Sequence, residues 1–268
     1  EYGGFGGGPV DLMVMMEEFG KGLVVEPYFA TVVLFGGLLS HGGTEAQQSD
    51  FIPRIIEGSC LGAFAYLERQ SRFELADVKT TATRQGDDYL LHGEKVVVFN
   101  GANADTLIVS ARTAGEQTDD HGITLFLVPA NAPGVELVDY RLMDGQRVAN
   151  VQLRDVTVGA SHVVGAVDEG LPLMQSVILE ACVALGAEAL GIMGQLNAKT
   201  LEYTRTREQF GVPIGSFQAL QHRMVDTFMS YEQTKSLLYR AVCALEKADE
   251  DPARDIHALK VMVDKAGK

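Results

Sequence analysis

Cysteine is scarce in this chain of 268 residues, and the three present (Cys60, Cys182 and Cys243) are odd in number and far apart. That pattern excludes a disulfide framework and predicts buried thiols of a reducing cytosol. Basic charge is also short: 22 Lys and Arg stand against 36 Asp and Glu, for a net charge of −14. A nucleic-acid surface needs a concentrated basic face, so that class of partner is excluded. No run of 18 uncharged apolar residues occurs, which predicts no membrane span. The start, Glu1 to Gly8, has neither the basic nor the apolar segment of a signal peptide.

What is present is a chain that is 46% hydrophobic, enough for a large core and more than one structural unit. From Val10 to about Glu57 apolar residues recur at helical spacing, and Thr44 with Gln47 forms a candidate capping box. From about Leu61 to Val164 the rhythm is that of strands. Seven short β-rich runs are expected, at 80–83, 89–91, 96–99, 107–111, 123–128, 135–140 and 151–153. They are separated by turn residues such as Gly86-Asp87-Asp88, His92-Gly93, Asn100-Gly101, Pro133-Gly134 and Asp144-Gly145. A compact barrel or sandwich follows from such spacing. Helices return from Leu171 to about Arg207, from about Ser216 to Lys247, and from near Pro252. The predicted class is α+β: a helical segment over 1–60, a β-domain over 61–165 and a helical domain over 166–268.

One stretch stands out inside the final helical pattern: Arg207-Glu208-Gln209-Phe210-Gly211-Val212-Pro213-Ile214, then Phe217-Gln218 and Gln221-His222. An Arg, aromatics and Gln gathered at a corner suit a flat, anionic ligand. The alternative is an ordinary helix–helix corner, with Phe210 and Ile214 in the core and Arg207 paired to a local Glu.

This corner resembles that of the acyl-CoA dehydrogenases. Further pieces lie in matching order: Glu1-Tyr2-Gly3-Gly4-Phe5-Gly6, Met16-Glu17-Glu18-Phe19-Gly20, Gly86-Asp87-Asp88-Tyr89, Gly93-Glu94-Lys95 before Asn100-Gly101, and Ala104-Asp105. Within that family the chain is most similar to the small subunit of pimeloyl-CoA dehydrogenase-type enzymes. The resemblance implies FAD as cofactor, an acyl-CoA thioester as substrate in fatty acid metabolism, and an electron-transferring flavoprotein as acceptor. It also implies further helices before Glu1 and after Lys268. The implied reaction removes a proton from C2 and a hydride from C3, with a carboxylate as base.

By the resemblance, Arg207, Gln209, Phe210, Ile214, Phe217 and Gln218 reach in trans to the FAD of a neighbouring subunit. The chain's own flavin pocket would include Tyr66, Leu67, Val97 and Phe99. There the family's side-chain donors, a Thr at 67 and a Trp and a Thr at 97 and 99, are replaced by hydrocarbons. Phe73 takes the place of a Ser near the flavin phosphates or substrate, and Leu179 and Cys182 replace polar residues that help hold CoA. The base of most relatives would fall beyond Lys268. A minority carry it on the long helix, where the matching position is Ala181 and the nearby acid is Glu180, one residue or about 100° away. The expected role is a small subunit completing the FAD site of a homologous large subunit. The alternative is a self-sufficient homo-oligomeric enzyme with its own FAD.

Overall fold

The computed structural model describes residues 2–4, 6–247 and 251–268. Two members of the starting motif, Glu1 and Phe5, lie outside them. The chain divides into two compact units: residues 1–5 with 25–178, and residues 6–24 with 179–268.

The first unit is built on one eight-stranded sheet. Its strands are β1 (Gly62–Ala65), β2 (Thr81–Gln85), β3 (Asp88–Phe99), β4 (Thr106–Arg112), β5 (Ile123–Pro129), β6 (Val135–Arg141), β7 (Arg147–Gly159) and β8 (Val163–Val164). The order is β6-β7-β3-β2-β4-β5-β8, with β1 pairing parallel to β4. Six of the seven expected runs lie within strands, and the first, 80–83, starts one residue ahead of β2. The pair at 89–91 and 96–99 is one strand, however. His92-Gly93 makes no turn but a slip of register against β7, and a second slip lies between Lys95 and Val98. At that second irregularity Val97 has a φ of 52°, costly for a β-branched residue. Strand β7 is far longer than the apolar run at 151–153, because its outward residues are polar. Strand β1 escaped detection because Gly62-Ala63-Phe64-Ala65 is fully buried and neither alternating nor β-branched.

Leu91, Leu107, Val109, Phe126, Val151 and Leu153 anchor the core of this sheet. A helical stretch packs on its β1 edge. Residues Phe29–Gly36 form a π-helix that runs into α2 (Gly37–Gly42). Thr31 Oγ1 donates to Gly62 O at 3.0 Å. Helix α3 (Glu45–Ile56) begins at the expected capping box, with Gln47 N donating to Thr44 Oγ1 and Thr44 N donating to Gln47 Oε1. The Gln47 amide then donates to Ser161 O and Val163 O, a long-range fastening that the local motif does not reveal.

The second unit contains α1 (Pro9–Gly22), the C-terminal part of α4 (Gly170–Thr206), α5 (Gln218–Glu246) and α6 (Pro252–Ala266). Helices α1 and α4 approach so closely that only glycine fits at two crossing points. A Cβ on Gly20 would lie 2.0 Å from Glu188 O, and one on Gly191 2.0 Å from Glu17 O. Leu238, Ala241, Val242, Ile256 and Leu259 bury the facing sides of α5 and α6.

Helix α4 is, among the described residues, the one helix long and apolar enough by length and composition to cross a membrane. Its apolar stripe at Leu171, Met174, Val177, Ala181, Ala184 and Ala187 is buried at helical spacing, as in the core helix of a globular domain. The thiols also depart from expectation. All three are free, but only Cys60 is buried; Cys182 is half-buried, and Cys243 lies on the outer side of α5 and is exposed.

Candidate functional site

The corner at Arg207 is a small β-hairpin. Strands β9 (Glu208–Gln209) and β10 (Val212–Pro213) pair antiparallel, and Ile214 N donates to Arg207 O at 2.8 Å. The two turn residues are both left-handed, Phe210 at φ 57° and Gly211 at φ 78°. Positive φ at both central positions is the geometry of a two-residue hairpin turn, where Gly is favoured and Phe is costly.

Phe210 does not serve a core: it is 92% exposed. Its ring meets Phe217 edge-on at 6.1 Å, so the two aromatics support each other on the surface. Arg207, Gln209 and Gln218 are exposed, and Ile214 is half-buried. Among the described residues, the Arg207 guanidinium has no hydrogen-bond or ion-pair partner, so the expected local Glu is missing. A strained aromatic and an unneutralised fork of donors are thus presented together outward. They fit one half of a dinucleotide site, with Arg207 for phosphate and Phe210 for a flat ring.

The face of the first unit that carries Tyr66, Leu67, Val97 and Phe99 has a different character. All four are half-buried. The Tyr66 ring stacks on Phe64 at 4.7 Å, and the Phe99 ring meets Phe29 edge-on at 5.9 Å. Side chains at 67, 97 and 99 offer no hydrogen-bond donor. Two main-chain amides are committed as well: Val96 N donates to Leu67 O at 2.8 Å, and Val97 N to Asn150 Oδ1 at 3.3 Å. Neither these three side chains nor these two amides offer a flavin ring a donor. Phe73 stands apart, 98% exposed, on the loop between β1 and β2.

What holds that loop was not foreseen from sequence. Glu68 is buried, and its carboxylate accepts four hydrogen bonds. Lys95 Nζ (2.8 Å) and Thr80 N (3.0 Å) donate to Oε1, while Lys79 N (2.8 Å) and Gln70 Nε2 (2.8 Å) donate to Oε2. Lys95 is wholly buried and also donates to Ser110 Oγ at 3.0 Å. Burial pushes the Glu68 carboxyl up, but the Lys95 ammonium and the converging donors reverse this and leave it at about 2. Burial lowers the Lys95 ammonium to about 8, against the opposing pull of Glu68. The available signal was a Lys set directly before Val96-Val97-Val98 in an apolar strand, a position that demands an acid partner.

On α4, Glu180 is half-buried and engaged within the fold. Ala181, at the position implied for a minority base, is buried and carries no acid. Leu179 and Cys182 are half-buried, and burial pushes the Cys182 thiol up, opposed by Lys260. Of these four residues only Glu180 is an acid.

Comparison with known proteins follows this geometry from end to end. Residues 1–59, 63–156 and 168–268 match the N-terminal, middle and C-terminal domains of acyl-CoA dehydrogenase. The chain belongs to the acyl-CoA dehydrogenase family. FAD is the cofactor of this family.

Among relatives, the short-chain specific acyl-CoA dehydrogenase of Megasphaera elsdenii is 32% identical over 253 residues, covering 91% of this chain and 66% of that protein. The structure of butyryl-CoA dehydrogenase from Megasphaera elsdenii is similar with a TM-score of 0.91 at 29% identity, covering 99% of this chain and 71% of that one. A structure named for the electron-transferring flavoprotein of Acidaminococcus fermentans is equally similar, at 0.91 and 29%, covering 99% and 70%. The chain spans 60–66% of the length of the first curated acyl-CoA dehydrogenases it matches.

Proposed function

We propose that this chain is the small subunit of a hetero-oligomeric, FAD-dependent acyl-CoA dehydrogenase of the pimeloyl-CoA dehydrogenase type. In that assembly its Arg207 hairpin completes the FAD site of a homologous large subunit. The observation that carries the reading is an Arg207 without a partner among the described residues beside Phe210, held left-handed and 92% exposed. A monomer gains nothing from that arrangement, whereas a neighbour's bound dinucleotide would neutralise the charge and cover the ring.

Residues Arg207, Gln209, Phe210, Ile214, Phe217 and Gln218 would hold the pyrophosphate and adenine side of the cofactor in trans. When bound, FAD supplies the hydride acceptor for α,β-dehydrogenation of an acyl-CoA thioester. This chain's own residues orient the cofactor and contribute no base; Glu180 is structural in this reading. Electrons would pass to an electron-transferring flavoprotein. The three free thiols suit a reducing compartment such as the cytosol.

The visible absorption spectrum of the full-length protein, alone and co-expressed with its large-subunit partner, tests the proposal. A colourless chain that becomes yellow only in the complex is expected. A stoichiometric flavin band in the isolated chain would favour the self-sufficient homo-oligomeric enzyme instead.

A further inference from the structure

The bulge of β3 raises a question separate from the hairpin: what satisfies the backbone where the flavin-facing side chains are hydrocarbons. Three neighbouring strands answer it. Asn150 of β7 places its Oδ1 within 3.3 Å of the Val97 amide, which donates to it. Tyr140 of β6 donates its hydroxyl to the same oxygen at 3.2 Å. Strand order β6-β7-β3 brings the three residues into a row, although they lie 10 and 53 positions apart in the chain. Just before the bulge, Val96 N is bound to Leu67 O.

A flavin ring presents mostly oxygen and nitrogen acceptors along its pyrimidine edge, beside the single N3–H donor, so it draws chiefly on donors. At this face the side chains at 67, 97 and 99 have none, and the successive amides of Val96 and Val97 are already bound. A ligand would have to break these bonds without offering the protein a better partner, and an unmade buried bond is costly. We infer that Asn150, positioned by Tyr140, is an internal substitute acceptor that closes this chain's own flavin face by taking up the Val97 amide. The inference deepens the small-subunit reading and rests on the same placement of the flavin face. It adds that the Val97 amide is taken up within the chain rather than left open to a ligand, and it names the residue responsible.

Two measurements on the full-length chain decide it. The first is amide hydrogen exchange at Val97. Asn150→Ala removes the acceptor and should speed exchange about tenfold, whereas Asn150→Asp keeps an oxygen there and should preserve protection. Equal protection in Asn150→Ala overturns the bond and the inference with it. The second is titration with free FAD, followed by flavin fluorescence. No saturable binding to the wild-type chain is expected; one FAD per chain at micromolar concentration overturns closure of the face. If Asn150→Ala does not fold, the Asp variant and the titration still decide. Failure here is distinct from failure of the hairpin assignment. That assignment is read from flavin retention in the assembled complex carrying Arg207→Ala, which leaves Val97 and Asn150 untouched.

Discussion

Lys95 and Glu68 form an ion pair at 2.8 Å in which the lysine side chain has no exposed surface and the glutamate almost none. Twenty-seven positions apart in sequence, they pin the loop after β1 to strand β3 inside the sheet. A charge left alone there would face a low-dielectric interior. Replacing Lys95 by Met should therefore destabilise the chain by about 3–5 kcal/mol, and Glu68→Gln by a similar amount, since it leaves the Lys95 charge alone and turns an amide NH2 toward groups that donate to the carboxylate. Urea denaturation midpoints check both; Lys95→Met at wild-type stability would show that the pair is dispensable.

The same pair fixes an acid limit. The folded Glu68 carboxyl lies at about 2, below its ordinary value of 4.5. The folded state therefore binds that proton less readily than the unfolded state. Its contribution to stability is fully present above about pH 4.5 and is lost as pH falls toward 2. Unfolding free energy followed from pH 5 to 2 should show this loss, and Glu68→Gln should flatten that part of the curve. A slope unchanged by the substitution contradicts the assignment.

At the hairpin, stability and cofactor retention are expected to move in opposite directions. Phe210→Gly relieves a left-handed phenylalanine, so the isolated chain should gain up to about 1 kcal/mol or stay level. The assembled complex should nevertheless lose flavin faster, as should Arg207→Ala, because a stacking face or a phosphate donor is gone. Flavin release on dilution, monitored by fluorescence, gives the comparison. Unchanged release in both variants removes the hairpin from the cofactor site.

Glu180 provides a negative expectation. It sits one residue from the position implied for a base, and about 100° of helix rotation separates the two. Glu180→Gln should leave turnover of the complex within a factor of about two, the scale of a surface or partly buried change without lost chemistry. A collapse of activity at normal flavin content would falsify the structural reading.

Much of this protein is local and was therefore legible. The Thr44–Gln47 capping box depends on residues three apart, so sequence alone predicts the start of α3, and the structure has it. Turn residues behave likewise at Gly86, Gly134 and Gly145, each with positive φ. The sequence also contained the Arg207 corner and the substitutions at 67, 97 and 99, because residue identity decides which groups can donate a hydrogen bond. What it could not supply depends on non-local pairing. Strand β1 is buried by the sheet rather than marked by its own pattern, and β3 is continuous through His92-Gly93 because β7 pairs along it. Phe210 is outward because the hairpin, not a helix–helix corner, forms there. Glu68 finds Lys95, and Asn150 finds Val97, across 27 and 53 positions. Short-range spacing determined most of the elements, and the resemblance implied the chemistry missing from one face. Only the tertiary structure decided which buried polar groups satisfy one another, since hydrogen bonds and ion pairs are set by distance in space and not along the chain.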